Sequence, residues 1–98
     1  MKLELIFHPE AEREMNEAIA FYNLTMKHLG TDFLNEIEKV VKNIKDNPIA
    51  WPVIDLNVRR CLLRRFPFGV LYIVEGNRIN IVAVANLKRK PGYWKKRL

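Results

Sequence analysis

The sequence contains little cysteine or glycine and no long apolar run: among its 98 residues there are one cysteine and four glycines. A single cysteine excludes an internal disulfide framework, so we expect a reducing, cytoplasmic setting in which Cys61 is a buried, unreactive thiol. The first ten residues have too short an apolar run for a signal peptide, and we expect no membrane-spanning segment. Metal-spaced Cys/His clusters, phosphate-binding loops and nucleophile elbows are also missing, so neither a metal nor a cofactor is expected.

The composition is that of one folded domain. Hydrophobic residues make up 49% of the chain and charged residues 29%, which excludes a disordered protein. At this length we expect a single domain, residues 1–98, with one two-layer core.

The net charge of +6 is unevenly distributed. Residues 1–49 carry six Lys or Arg against nine Asp or Glu, a net of −3, whereas residues 50–98 carry eleven against two, a net of +9. A basic half of this kind favours a polyanion or an acidic protein as a partner. The alternative is a cationic surface that serves only solubility.

The first half predicts one strand and two helices. Residues 3–7 form the strand, and Pro9 begins a helix that extends to about residue 28, with Gly30 just past its end. Thr31 or Asp32 caps a second helix that ends near residue 47. Apolar residues recur at helical spacing in both: Ala11, Met15, Ala18, Ile19, Tyr22, Met26 and Leu29, then Phe33, Ile37, Val40, Val41 and Ile44. The short connection predicts an antiparallel pair.

The second half predicts three strands, at residues 58–66, 68–74 and 79–85, because β-branched and aromatic residues dominate there. Gly76-Asn77 predicts a two-residue primed turn between the last two strands, and residues 48–57 are predicted to be a loop. The fold class is therefore α+β in the order β-α-α-β-β-β, a helical hairpin packed on a small, mostly antiparallel sheet. These strands are apolar on both faces, so at least one face needs a cover.

Two basic segments are candidate binding surfaces. Strand alternation places Arg60 and Arg64 on one face of the first of these three strands and Arg59 and Arg65 on the other. In residues 86–98, cations surround two aromatic residues, a pattern suited to stacking on bases while the charges hold phosphates. The members of this second segment are Lys88, Arg89, Lys90, Tyr93, Trp94, Lys95, Lys96 and Arg97. Alternatively, Tyr93 and Trp94 anchor the segment on the core.

Other polar residues have simpler interpretations. Glu10, Glu14 and Glu17 occur at helical spacing, and we interpret them as a solvated face and as partners of the helix dipole. His8 and His28 lie at helix ends, where we expect capping or surface roles.

Several short motifs occur in a fixed order over nearly the whole chain. They are His8-Pro9-Glu10-Ala11 with Glu14 and Ala18, Phe21-Tyr22, Leu29-Gly30, Asp32-Phe33-Leu34, Val58-Arg59-Arg60, Arg65-Phe66-Pro67-Phe68 with Tyr72, and Val82 to Val84 with Arg89 and Pro91-Gly92-Tyr93-Trp94. With these motifs and its order of elements, the chain resembles the RelE/ParE superfamily of type II toxin–antitoxin modules, whose members are also called plasmid stabilisation proteins.

The resemblance implies a small bacterial or archaeal toxin that a cognate antitoxin holds inactive. It also implies one of two activities. ParE-like members inhibit DNA gyrase and are not nucleases, whereas RelE-like members enter the ribosomal A site and cleave mRNA. A third hypothesis is a non-toxic binding module that keeps the fold and the antitoxin interface.

If the chain is a nuclease, the resemblance implies catalytic roles for Arg60, Arg64, Arg89 and Tyr93. Two departures count against a nuclease: Gly69 replaces an arginine of the third strand, and Asn86 replaces a frequent histidine. Because RNA cleavage needs proton transfer and cations on the phosphate, we expect the ParE-like activity, with the RelE-like one as the alternative. A binding toxin would contact its target through Arg59, Arg65, Lys88, Lys90, Trp94, Lys95, Lys96 and Arg97.

Overall fold

In the computed structural model, which describes residues 3–98, the strand β1 (Glu4–Phe7) leads directly into the helix α1 (Pro9–Thr25). Proline occupies the first helical turn, and Nδ1 of His8 accepts a hydrogen bond from the amide of Glu10. The sequence-based start of α1 and the capping role of His8 are therefore confirmed.

The connection to α2 (Leu29–Asp46) differs from the prediction. α1 ends at Thr25, His28 adopts the left-handed conformation (φ 67°) at the N-cap, and neither Thr31 nor Asp32 caps α2. Gly30 is part of α2, where a Cβ would lie 2.3 Å from the carbonyl oxygen of Ile19. The glycine therefore permits close packing of the two helices, and it does not end α1 as predicted.

Four strands follow: β2 (Val53–Asp55), β3 (Val58–Leu62), β4 (Phe68–Glu75) and β5 (Arg78–Asn86). They form one sheet with β1 in the order β1-β5-β4-β3-β2, in which β1 is parallel to β5 and the other pairs are antiparallel. The mostly antiparallel sheet under a helical hairpin is confirmed. The predicted 48–57 loop was wrong in part, because it contains the edge strand β2.

Two of the three hairpin turns in the described sheet have two residues. Gly76 has a φ of 59° between the paired residues Glu75 and Arg78, which confirms the predicted turn. Leu56 and Asn57, at φ 47° and 63°, connect β2 to β3. Leucine seldom adopts this conformation, so the second turn has no recognisable signal in the sequence.

The sheet is covered on both faces. The helices cover the inner face, where the stripes of α1 and α2 pack on residues such as Val70, Tyr72 and Ile81. Residues 87–98, which we call the C-terminal segment, bring Trp94 onto the outer face against Val58, Leu71, Val82, Ala83 and Ala85. With Trp94 only 4% exposed, the anchoring alternative for this residue is confirmed.

Three further predictions concern single residues. Cys61 is buried as expected, and burial raises the pKa of its thiol. Met26 was wrongly assigned to the apolar face of α1, because it lies beyond the helix and is exposed. None of the helices in residues 3–98 is long and apolar enough to cross a bilayer.

Candidate functional site

A cleft of about 300 Å³ opens on the outer face of the sheet. We call it the basic cleft, because four cationic side chains line it together with the apolar residues Leu71 and Ala85. The cations are Arg60 from β3 and Arg89, Lys90 and Lys95 from the C-terminal segment. Tyr93, Trp94 and Asn86 also belong to its lining.

The side chain of Arg60 reaches the cleft across Gly69, which has no side chain to block it. A Cβ built at Gly69 would lie 3.1 Å from Cγ and 3.2 Å from Cδ of Arg60, so the glycine leaves room for the aliphatic stem of that side chain. Gly69 belongs to β4 and pairs with Leu62 of β3. Because Gly69 stands where the nuclease pattern has an arginine, β4 supplies no charge at this position. The space is taken by the side chain of Arg60 from β3.

Half of the twelve predicted site residues line the basic cleft. They are Arg60, Arg89, Lys90, Tyr93, Trp94 and Lys95. Lys88 and Lys96 are exposed elsewhere on the C-terminal segment.

The arginines around β3 do not alternate as predicted, because the strand ends at Leu62. Arg64 and Arg65 lie in the following loop, where their amides donate to the carboxylate of Glu36 on α2. The guanidinium of Arg65 lies 3.5 Å from Asp32. Arg59 donates to the carbonyl oxygens of Ile49 and Trp51. Arg64 therefore does not share a face with Arg60, and that part of the predicted geometry was wrong.

Glu14 on α1 connects the helix layer to the C-terminal segment. Its carboxylate accepts hydrogen bonds from the Tyr93 hydroxyl at 2.7 Å, from both terminal nitrogens of Arg97 at 2.9 Å, and from the amide of Val84 at 3.1 Å. The side chains of Glu14 and Arg97 are each 7% exposed. A buried carboxylate needs this degree of pairing to be tolerated. We call Glu14, Tyr93 and Arg97 the Glu14 cluster.

The position of the cluster follows from the unequal lengths of the strands. β1 pairs with β5 only as far as Ile81, so in the described part of the chain the edge of β5 beyond that residue has no neighbouring strand. A β-bulge at this point leaves Val82 out of register with β4. The carbonyl of Val82 accepts from Arg97 at 3.1 Å, and the amide of Val84 donates to Glu14. The ion pair thus satisfies backbone groups that β1 leaves open.

The cluster corrects two sequence-based assignments. Glu14 was placed on a solvated face with Glu10 and Glu17, which do lie on the surface paired with Arg13. Arg97 was grouped with exposed cations and is buried. A signal for Glu14 existed, because it lies three residues after Ala11 and four before Ala18, on the buried face of α1.

Two groups of the cleft that can exchange protons, Tyr93 and Asp55, have shifted pKa values. Burial, together with the bond to Glu14, raises the pKa of Tyr93, and the guanidinium of Arg89 lies 4.0 Å from the centre of its ring. Asp55 of β2 lies 2.8 Å from Nζ of Lys95, and this hydrogen-bonded cation lowers the pKa of the Asp55 carboxyl.

Comparison with known proteins adds two findings. A family model described as ParE toxin of type II toxin–antitoxin system, parDE, matches residues 5–91. No curated protein matches the sequence. Among solved structures, the chain is similar to one described as a chromosomal ParDE TA system from P. aeruginosa, with a TM-score of 0.77 and 19% sequence identity. The alignment covers 88% of this chain and 97% of that one, and at this identity the likeness shows the fold.

Proposed function

The chain belongs to the ParE toxin family of type II toxin–antitoxin systems, within the RelE/ParE superfamily, and we propose that it acts by binding DNA gyrase and is neutralised by a cognate antitoxin. Gyrase is a cytoplasmic target, so the proposal also locates the action of this protein in the cytoplasm.

One observation carries the choice of binding over hydrolysis: the groups of the basic cleft suited to proton transfer are already engaged. Tyr93 donates its proton to a buried carboxylate, and its raised pKa disfavours the phenolate that would act as a base. Asp55, with its lowered pKa, is a weak proton acceptor. Attack by a 2′-hydroxyl needs an acceptor and a donor free to act, whereas recognition of a polyanionic surface needs only the cations.

An activity assay tests this choice directly. We expect the purified protein to inhibit DNA supercoiling by gyrase and to leave mRNA intact on translating ribosomes. Lys90→Gln, in the basic cleft, should weaken inhibition, and Lys39→Gln on α2 is the matched control that should leave it unchanged. A protein that affects neither gyrase nor growth would support the non-toxic binding module instead.

The RelE-like activity remains the second candidate because Arg60, Arg89 and Tyr93 line the same cleft although they come from separate parts of the chain. A nuclease of that type would cut mRNA only on ribosomes. Cleavage that Arg60→Ala or Arg89→Ala abolishes, in variants that melt like the wild type, would replace the gyrase proposal.

An antitoxin would bind the groove between α2 and the edge strand β1. Leu5 and Phe7 of β1 and Leu34, Ile37 and Val41 of α2 give it an apolar lining. Two lysines and two carboxylates also line it: Lys42, Lys45, Glu38 and Asp46. Within residues 3–98, β1 has a neighbouring strand on one side only. An extended segment that folds on binding could add main-chain hydrogen bonds there, or a helix could lie along α2.

Copurification from the native operon tests the antitoxin proposal. The wild-type chain should be recovered with the product of a neighbouring reading frame. Val41→Glu, in the groove, should lose that partner, whereas Asn43→Glu, an exposed position of α2 outside the groove, should retain it. Recovery of the wild type alone, with the neighbour expressed but unbound, would contradict the proposal.

A further inference from the structure

The C-terminal segment supplies three of the four cations of the basic cleft, and the Glu14 cluster holds it to the rest of the fold. Trp94 packs on the outer face of the sheet, but a hydrophobic contact is not directional and does little to set the path of the chain around it. The bonds from Tyr93 and Arg97 to Glu14 are directional, and Arg97 bonds through two nitrogens at once. They define the path of the residues between Arg89 and Arg97.

From this geometry we propose that Glu14 is the positioning residue of the basic cleft. Its carboxylate lies among α1, β5 and the C-terminal segment, and it fixes Arg89, Lys90 and Lys95 opposite Arg60 without itself contacting the target. The inference deepens the proposed function, because it identifies what assembles the surface that would bind gyrase.

Arg89 takes part in the same arrangement. Its guanidinium lies 4.0 Å from the centre of the Tyr93 ring and 3.8 Å from the Glu14 carboxylate, and the Arg89 side chain is half exposed. The guanidinium of Arg97 also lies beside that ring, 5.1 Å from its centre. Tyr93 thus stands between a buried cation and a cleft cation, and its bond to Glu14 orients the ring that both of them contact.

Charge balance explains why Glu14 is needed. Removing its charge leaves the guanidinium of Arg97 buried without a counterion, and expelling the C-terminal segment is the available way to rehydrate it. The Nε atom of Arg97 has no hydrogen-bond partner within residues 3–98, so the pair is not fully satisfied even in the native structure. Buried ion pairs of this kind are often replaceable by apolar groups of similar shape. Arg97→Met should therefore compensate in part for Glu14→Gln, because it removes the unpaired charge.

The test compares Glu14→Gln, Glu14→Gln with Arg97→Met, and the control Glu17→Gln, whose site on α1 is exposed and paired with Arg13. Amide hydrogen exchange at Tyr93 and Arg97, which donate to the carbonyls of Lys90 and Trp94, reports docking of the C-terminal segment. Growth inhibition on expression reports toxicity. In Glu14→Gln we expect exchange at both amides to accelerate on the order of tenfold or more, with α2 and β4 unchanged, and toxicity to fall.

In the double variant, protection and toxicity should return together and in part, because the unpaired charge is gone but the bonds from Arg97 to Glu14 and Val82 are not restored. Glu17→Gln should resemble the wild type. Wild-type protection of the segment in Glu14→Gln would overturn the inference. A double variant that is protected but harmless would also overturn it, since Glu14 or Arg97 would then act on the target directly. So would toxicity that returns without protection.

Two further measurements keep the test decisive. If Glu14→Gln does not fold, Tyr93→Phe removes one bond and keeps the ion pair, and it should accelerate exchange at Arg97 to a smaller extent; unchanged exchange there would count against the inference. A wild-type chain that does not slow growth would contradict the proposed toxin function, whereas the exchange data would still decide whether Glu14 positions the segment.

Discussion

Gly30 lies where α2 packs against α1, and a Cβ at this position would meet the carbonyl oxygen of Ile19 at 2.3 Å. Because that oxygen belongs to the backbone, no change of rotamer relieves the clash. We expect Gly30→Ala to lower the free energy of unfolding by about 1–3 kcal/mol in urea denaturation, despite the better helix propensity of alanine. Thr31→Ala, at the next and exposed residue, should change it by less than ~0.5 kcal/mol. Equal stability of the two variants would show that the helices can separate without cost.

The three tyrosines should make the fold sensitive to alkali. Burial raises the pKa of Tyr22, Tyr72 and Tyr93 in the folded state, and the bond to Glu14 adds to the shift at Tyr93. A tyrosine whose pKa is higher in the folded than in the unfolded state stabilises the fold at pH values below its unfolded pKa, which is near 10. This contribution is lost as the pH rises through the folded pKa. We expect less phenolate absorption at 295 nm at pH 10 in buffer than in urea, and a melting temperature that falls above that pH. Identical titration curves in the two solvents would refute this expectation.

Some roles of single residues follow from sequence and others do not. Pro9 and His8 act within one turn of helix, so local rules predicted both. Gly30 was misassigned because local rules interpret glycine through its backbone conformation, whereas its role here is close packing against a second helix. Glu14 lies 83 residues from Arg97 along the chain, and no local pattern identifies its partner, although its place among buried alanines marked it as unusual.

At the level of elements, the turn between β2 and β3 is under conformational strain. Leu56 and Asn57 both have positive φ, and the left-handed conformation costs a residue such as leucine roughly 1–2 kcal/mol. Leu56→Asn should therefore raise the free energy of unfolding by up to ~1 kcal/mol, because asparagine suits this turn. The control is Leu87→Asn, at another exposed leucine without positive φ, which should change stability by less than ~0.5 kcal/mol. A destabilised Leu56→Asn would mean that the packing of the leucine side chain outweighs the strain.

The same turn explains which elements the sequence could predict. The apolar stripe of α2 and the β-branched and aromatic runs of β4 and β5 extend over eight or more residues, long enough for periodicity and composition to identify these elements. β2 has three residues, all exposed, and follows directly after Pro52. Such a strand forms because β3 provides a partner and the turn returns the chain to it, and neither fact is visible in residues 53–55 alone.

For the whole molecule, the separation of charge predicts how binding depends on salt. The basic half faces outward through the exposed side chains of the C-terminal segment, whereas α2 carries its lysines among acidic residues. Replacing Lys88, Lys90 and Lys96 with glutamine should weaken binding to the gyrase–DNA complex. It should also reduce the slope of log affinity against log salt by up to ~3, about one for each phosphate that the variant no longer neutralises. The matched control replaces Lys39, Lys42 and Lys45 on α2 and should leave the slope unchanged, and equal slopes in both variants would refute a role for the segment.

Unlike those lysines, Arg97 should not be included in such a charge series. It is buried against Glu14, so its neutralisation would combine the removal of a charge with displacement of the segment. The whole-molecule pattern of charge was visible in the sequence, but which cations are free to act depends on the packing of the last residues.

The pairing of Glu14 with Arg97 also sets an order of events during translation. α1 is among the first elements to leave the ribosome, and its buried carboxylate has no guanidinium to pair with until residue 97 has followed. β1 likewise waits for β5. A nascent chain therefore carries an unassembled basic cleft while α2, one wall of the proposed antitoxin groove, is already synthesised; the other wall, β1, joins the sheet only with β5. The surface proposed to bind gyrase is therefore complete only after residue 97 has left the ribosome.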